Sequence, residues 1–174
     1  DNTLVVVSAM GKTTNALEKI IDNYFNESII HLDGLIELKK HHLEIAKNLF
    51  KNESSKIEEI IHKLFEELKG FLNSNKSPNY SFVYDQVVSI GELLSSKIVH
   101  EFMNFAGLEC HWIDSRECIK TDDYYRAANL NWELTNKNIL NNLKTCSLAV
   151  TQGFIGSNSN NFTTTLGREG SDYS

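Results

Sequence analysis

The first apolar run of the chain, Leu4 to Met10, is continuous and rich in valine. A run of that length and composition predicts a strand buried on both faces, as in a parallel sheet. A turn follows at Gly11, and Ala16, Leu17, Ile20, Ile21 and Phe25 then recur at helical spacing. From about Ile29 to Leu72 the pattern is helical: Leu35, Leu38, Leu43, Ala46 and Leu49 mark one stretch, and Ile57, Ile60, Ile61, Leu64, Phe65 and Leu68 the next. The charges between them read as solvated faces. His41, His42 and His62 are expected at the surface, since two adjacent histidines point in different directions on a helix and make a poor metal pair.

Residues 73–80 form a polar loop holding the only proline, Pro78. A further helix is predicted from about Val83 to Phe105, with Val87, Ile90, Leu94, Ile98 and Phe102 on one face. Residues 108–114 alternate and predict a strand. A polar connection over residues 121–133 leads to a helix from Asn131 to Leu143 and a second buried strand from Ser147 to Gln152. This order predicts an α/β domain with a parallel-sheet core and a helical insertion at about residues 29–106.

Composition narrows the classes. With 174 residues, 41% hydrophobic and 23% charged, the chain suits one ordinary domain with a real core. The net charge of −6 argues against a nucleic-acid surface built on bulk positive charge, while a few local cations still permit a small anionic ligand. Cys110, Cys118 and Cys146 are an odd set without CxxC spacing, which disfavours a disulfide framework or zinc site and fits a reducing, cytoplasmic setting. No apolar run approaches a membrane span, so no membrane partner is expected.

Three stretches could carry chemistry. "SAMGKTTN" resembles a Walker A loop only in Gly11-Lys12-Thr13; the required glycine five positions earlier is Val6, so that motif is rejected. What remains is a turn at the carboxyl end of a parallel strand, where open α/β sheets bind ligands. Ser8, Thr13, Thr14 and the amides at the helix start could hold an anion. Capping of the helix by Thr13 or Thr14 is the weightier reading of this stretch alone. "SIGELLSS" places Gly91 and Glu92 inside an apolar helix. Alone, Glu92 reads as solvated; a buried Glu92 would need a partner and would suit a substrate ammonium. In the last stretch, Gly153 and Gly156 follow a buried strand and permit close backbone approach, a hairpin-like excursion comes next, and Arg168 then offers a bidentate fork for a carboxylate. A surface loop with an exposed ion pair is the alternative, but glycine density and the strand-end position favour a site.

Taken together and in order, "VVVSAMGKTTN", "VVSIGELLSS" and "VTQGFIGSNSNNFTTTLGREGSDYS" resemble the aspartate kinase family of the amino-acid kinase fold. The resemblance covers essentially the whole chain, and the last stretch is the most diagnostic. It implies a parallel-sheet-based sandwich of the carbamate kinase-like type, incomplete in this chain. The family's Lys-Phe-Gly-Gly segment would precede Asp1, and its nucleotide-binding half and ACT domains would follow Ser174; Lys12 lies on a different loop and does not replace the missing lysine. An incomplete sheet is expected to expose an edge and apolar surface, and the 174-residue chain alone is expected to be inactive.

The implied reaction moves the γ-phosphoryl of ATP, with Mg²⁺, to the β-carboxylate of L-aspartate, the entry to lysine, threonine and methionine synthesis. The resemblance implies that Thr14 and Glu92 contact aspartate, Glu92 near its ammonium, and that Phe154 lines the pocket. Arg168 takes the α-carboxylate, Asp172 orients the catalytic machinery, and Ser8 lies near the transferred phosphoryl with Gly11 beside the nucleotide. A homo-oligomer is implied for the full-length protein. Arg168 and Glu92 would suit any α-amino acid, so a kinase for glutamate or a related acid stays open, as does a non-catalytic fragment that only binds ligand or assembles.

Overall fold

The structure, a computed structural model, describes residues 2–26, 30–144 and 146–167. Two parallel strands form the centre and one edge of the sheet: β1, Thr3–Val7, lies beside β3, Leu148–Gln152, with Thr3 opposite Leu148 and Val7 opposite Gln152. The short β2, His111–Trp112, pairs in parallel on the other side of β3, giving the order β1-β3-β2. A separate antiparallel hairpin follows, β4 (Ile155–Ser157) against β5 (Thr163–Thr165). The parallel core and the hairpin-like excursion are thus both as the sequence predicts.

Between β1 and β2 run α1 (Thr13–Phe25), α2 (Ile30–Phe50), α3 (Ser55–Ser74) and α4 (Tyr80–Phe105), with a 3-10 turn at Lys51–Glu53. Between β2 and β3 lie α5 (Ser115–Cys118) and α6 (Trp132–Leu143). Local chemistry starts several of these helices. Asn79 accepts from the Phe82 amide at 3.2 Å and Asn131 from the Leu134 amide at 3.1 Å, satisfying N–H groups that the helix itself leaves open. None of the helices among the described residues is long and apolar enough to cross a membrane.

The helix α4 is the centre of the molecule. It touches α1, α2, α3, all three parallel strands and β5. Every residue from Val83 to Ser96 is buried except the half-buried Gln86. A helix enclosed on all sides must pair its polar groups internally. Ser89 and Ser96 donate to the carbonyls of Gln86 and Leu93 on their own helix, while Ser95 donates to the carbonyl of Ser8 at 2.7 Å. The main apolar cluster joins α4 to α1, α2 and α3 through Leu17, Ile21, Ile61, Phe65, Val87 and Leu94.

Three local expectations are corrected. First, β1 is not buried on both faces: Leu4 is 44% and Val6 39% exposed. The strand lies at the sheet edge, and its Leu4/Val6 face opens on an apolar groove shared with Ile139 and Leu143. Second, the strand predicted over residues 108–114 shortens to His111–Trp112, because the Cys110 amide bonds the Asn104 side chain rather than a neighbouring strand. Third, His42 is fully buried rather than at the surface. Its Nδ1 donates to the Leu38 carbonyl at 2.8 Å, so Nε2 is left to accept from the Thr13 hydroxyl at 3.4 Å. Burial holds the His42 pKa below the usual imidazole value, which keeps it neutral.

Candidate active site

The turn from Ser8 to Lys12 leaves the carboxyl end of β1 and enters α1. Gly11 takes φ +55°, a left-handed conformation that glycine adopts without steric cost. The Thr13 amide closes the turn on the Met10 carbonyl at 3.1 Å. The position preceding α1 is Lys12, and no side chain caps the helix. Capping by Thr13 or Thr14 is therefore corrected: Thr13 lies inside the helix with its hydroxyl on His42. Thr14, the second residue of α1, is half-buried.

Glu92 sits beneath this turn. Gly91 permits the approach, since a Cβ there would fall 2.9 Å from the Ala9 Cβ and 3.2 Å from the Thr13 Cγ2. Glu92 is 4% exposed, so the solvated reading is corrected to a buried one. Its Oε1 accepts from the Ala9 amide at a long 3.4 Å, and its Oε2 has no partner among the described residues. Burial pushes its pKa up to about 7, against the opposing pull of backbone N–H groups. A buried carboxylate with an open oxygen favours a cationic ligand group, which would restore the missing partner.

The second edge of the site comes from β3. The Gly153 amide donates to the Val7 carbonyl at 3.1 Å, so Phe154 follows directly beside the end of β1. Phe154 has φ +68°, in the left-handed region that a bulky residue rarely adopts, and it packs half-buried against the main core. Its carbonyl accepts from the Leu166 amide at 2.9 Å. Gln152, buried at the end of β3, accepts from the Ser115 amide and donates to the Ser96 hydroxyl, both at 2.9 Å. Ser8, Glu92, the start of α1 and Phe154 therefore gather at the carboxyl end of the parallel strands. Arg168 and Asp172 lie outside the described residues.

Two residues that no sequence motif singles out hold the hairpin beside this site. Asp85 and Gln86 on α4 hold β5 at both ends. The Gln86 amide donates to the Thr163 carbonyl at 2.7 Å and accepts from the Thr163 amide at 3.1 Å. Asp85, fully buried, accepts from the Thr165 amide at 2.9 Å, the Thr165 hydroxyl at 2.8 Å and the Arg126 amide at 3.2 and 3.0 Å. Burial raises its pKa to about 6, although these donors favour the charged form. Arg126 itself has φ +71°, and its guanidinium lies 4.5 Å from the Tyr84 ring centroid. The available signal was spacing: Asp85 and Glu92 stand seven positions apart in one apolar helix, hence on one face.

Among the described residues, no group of three or more His, Cys, Asp or Glu could hold a metal ion. Mg²⁺ in phosphoryl transfer takes most of its oxygens from nucleotide phosphates and water and needs only one or two from protein, so it does not require such a group.

The model of the amino acid kinase family matches residues 1–174. The chain is 31% identical over 175 residues to the lysine-sensitive aspartokinase 3 of Escherichia coli (strain K12), covering 98% of this chain and 38% of that protein. Among solved structures, E. coli aspartokinase III in complex with lysine and aspartate superposes with a TM-score of 0.85 at 29% identity, over 98% of this chain and 38% of the other. The same enzyme in complex with aspartate and ADP gives a TM-score of 0.79 at 29% identity, with the same coverage. The chain thus spans well under half the length of these relatives.

Proposed function

The chain belongs to the amino acid kinase family, and from that premise we propose that the full-length protein is an aspartate kinase. It transfers the γ-phosphoryl group of ATP to the β-carboxylate of L-aspartate and yields 4-phospho-L-aspartate. The observation that carries the reading is the Oε2 of Glu92, buried and without a partner among the described residues, at the carboxyl end of a parallel sheet. The aspartate and ADP complexes of the similar E. coli enzyme support the choice of substrates. The three free cysteines fit a cytoplasmic enzyme, and the full-length protein is read as a homo-oligomer.

The chemistry demands few covalent roles. A carboxylate attacks an anionic phosphoryl group, so the barrier is dominated by charge and alignment. Glu92 takes the α-ammonium, and Arg168 takes the α-carboxylate. With both ends anchored, the β-carboxylate is the free nucleophile. Thr14 and Phe154 line the pocket around the substrate carbon chain. Ser8, at the strand end, lies near the transferred phosphoryl, with Gly11 leaving its turn open to a phosphate, and Asp172 orients the reacting groups. Mg²⁺ bound with the nucleotide would neutralise phosphate charge, and no described residue is assigned to it. Fixing both reactants in this way can supply about 7–11 kcal/mol of the barrier reduction.

The test traps the acyl phosphate. The full-length protein is incubated with ATP, Mg²⁺ and hydroxylamine, with either L-aspartate or L-glutamate. Hydroxamate from aspartate alone is the expected result. Hydroxamate from glutamate alone overturns the substrate and keeps the family, and none from either overturns the kinase reading.

A further inference from the structure

We propose that Asp85 is a positioning residue that sets the start of the substrate-carboxylate loop relative to Glu92, an inference that rests on the aspartate kinase reading above. Arg168, the residue read as the α-carboxylate anchor, stands three positions beyond Thr165 in sequence. Thr165 is the last residue of β5, and Asp85 holds both its amide and its hydroxyl. The same carboxylate holds the Arg126 amide, and the turn around Arg126 returns to β5 through the Ala128 amide on the Thr165 carbonyl at 2.9 Å. Gly167 (φ +89°) then passes close by, where a Cβ would stand 3.4 Å from the Arg126 carbonyl oxygen. Asp85 therefore fixes strand and turn together, just before the chain reaches Arg168.

The other half of the argument is the helix. Asp85 and Glu92 stand seven residues apart on α4, about 10 Å along a stretch of helix buried except for the half-buried Gln86. An α-amino acid held at its ammonium by Glu92 and at its carboxylate by the loop needs those two anchors at a fixed separation. In this arrangement one helix fixes Glu92 and the Thr165 end of β5 relative to each other. The donors on Asp85 are two backbone amides and one hydroxyl, so the interaction fixes backbone position rather than pairing charges. The cation of Arg126 lies over the Tyr84 ring instead.

That distinction decides which substitution matters. In Asp85→Asn the carbonyl oxygen can occupy the Oδ2 position and keep the Arg126 and Thr165 amides, and the amide nitrogen can donate to a Thr165 hydroxyl turned about its bond. In Asp85→Ala every contact goes. The experiment compares these variants in the full-length protein by steady-state hydroxamate formation. Amide hydrogen exchange at Arg126 and Thr165 is measured alongside. Asp85→Ala is expected to raise KM for aspartate about 10-fold or more while KM for ATP stays within about 3-fold, the split that a misplaced substrate anchor produces. Asp85→Asn is expected to restore KM for aspartate to within about 3-fold of wild type.

Should Asp85→Ala fail to fold, Thr165→Val against Thr165→Ser asks the same question at one bond. The valine variant is expected to raise KM for aspartate about 3-fold or more, and serine to leave it unchanged. Thr121→Val removes the Thr121–Thr164 hydroxyl bond, at 2.7 Å, without touching Asp85. It should leave KM for aspartate unchanged. The proposal is overturned if Asp85→Ala moves both KM values together, if it moves neither, or if the Asn variant is as impaired as the Ala variant. A wild type silent with aspartate would sink the functional reading instead, and unchanged exchange at Thr165 and Arg126 in Asp85→Ala would separately sink the clamp.

Discussion

Two carboxylates share one face of α4, and they are treated in opposite ways. Asp85 has its oxygens filled by three donors from two segments distant in sequence. Glu92, two turns further on, has a single long contact and an oxygen with no partner among the described residues. Both are buried, and burial raises the pKa of both, to about 6 and about 7. Desolvation costs the two groups alike, so what separates them is whether the protein answers that cost itself. At Asp85 it does, and the group holds structure. At Glu92 no described residue does, and one carboxylate oxygen keeps no partner among them.

The comparison breaks most visibly in activity. Glu92→Gln keeps the shape and removes the charge that an ammonium would meet. It is expected to lower kcat/KM for aspartate about 100-fold, in line with truncating one side of a buried charge pair, with KM for ATP little changed. A smaller loss, or an equal loss for both substrates, would move Glu92 from ligand anchor to scaffold.

A second contrast is in stability against pH. A carboxyl whose folded pKa lies above its unfolded value holds its proton more firmly when folded. Stability is then greatest in acid and falls as pH rises toward the folded pKa. For Glu92 the fall runs from about pH 4.5 to about 7, and for Asp85 from about 3.8 to about 6. Each is worth about 3 kcal/mol across its window. Urea midpoints measured between pH 4 and 8 should therefore decline, with Glu92→Gln removing the part of the fall between about pH 4.5 and 7 and Asp85→Asn the part between about pH 3.8 and 6. Profiles unchanged by either substitution would show that the two carboxyls titrate normally.

The smallest effect concerns the contact that places Glu92. Gly91→Ala puts a Cβ 2.9 Å from the Ala9 Cβ, an atom with no rotamer to yield. The turn must shift, at a cost of about 1–3 kcal/mol typical of overpacking, and the melting temperature should fall accordingly. A melting temperature equal to wild type would show that α1 and α4 are less tightly apposed at this point.

Much of this architecture was legible in the sequence, for identifiable reasons. Leu4 to Met10 and Ser147 to Gln152 are short apolar runs beside turns, and both contain strands of one parallel sheet. The glycines at 153 and 156 announced close backbone approach, and a Cβ at Gly156 would indeed stand 2.8 Å from the Ile119 carbonyl oxygen. Periodicity failed where a residue's setting depends on distant chain. The exposure of Leu4 and Val6 reflects what lies across the sheet, which no local pattern encodes. His42 reads as polar, yet its partner Thr13 lies 29 residues away. Asp85 meets Thr165 at a separation of 80 residues. The left-handed Phe154 carries no local signal at all, since it is not a residue type that favours such a backbone.

The central claim is that Glu92 waits, partly protonated, for the ammonium of an amino acid. Calorimetric titration of the full-length protein with L-aspartate at pH 7, in buffers of different ionisation enthalpy, measures it directly. Pairing with the ammonium should drive the carboxyl fully ionised, so binding is expected to release about half a proton, and Glu92→Gln should abolish that release. Binding with no net proton release in the wild type, or with the same release in Glu92→Gln, would contradict the account.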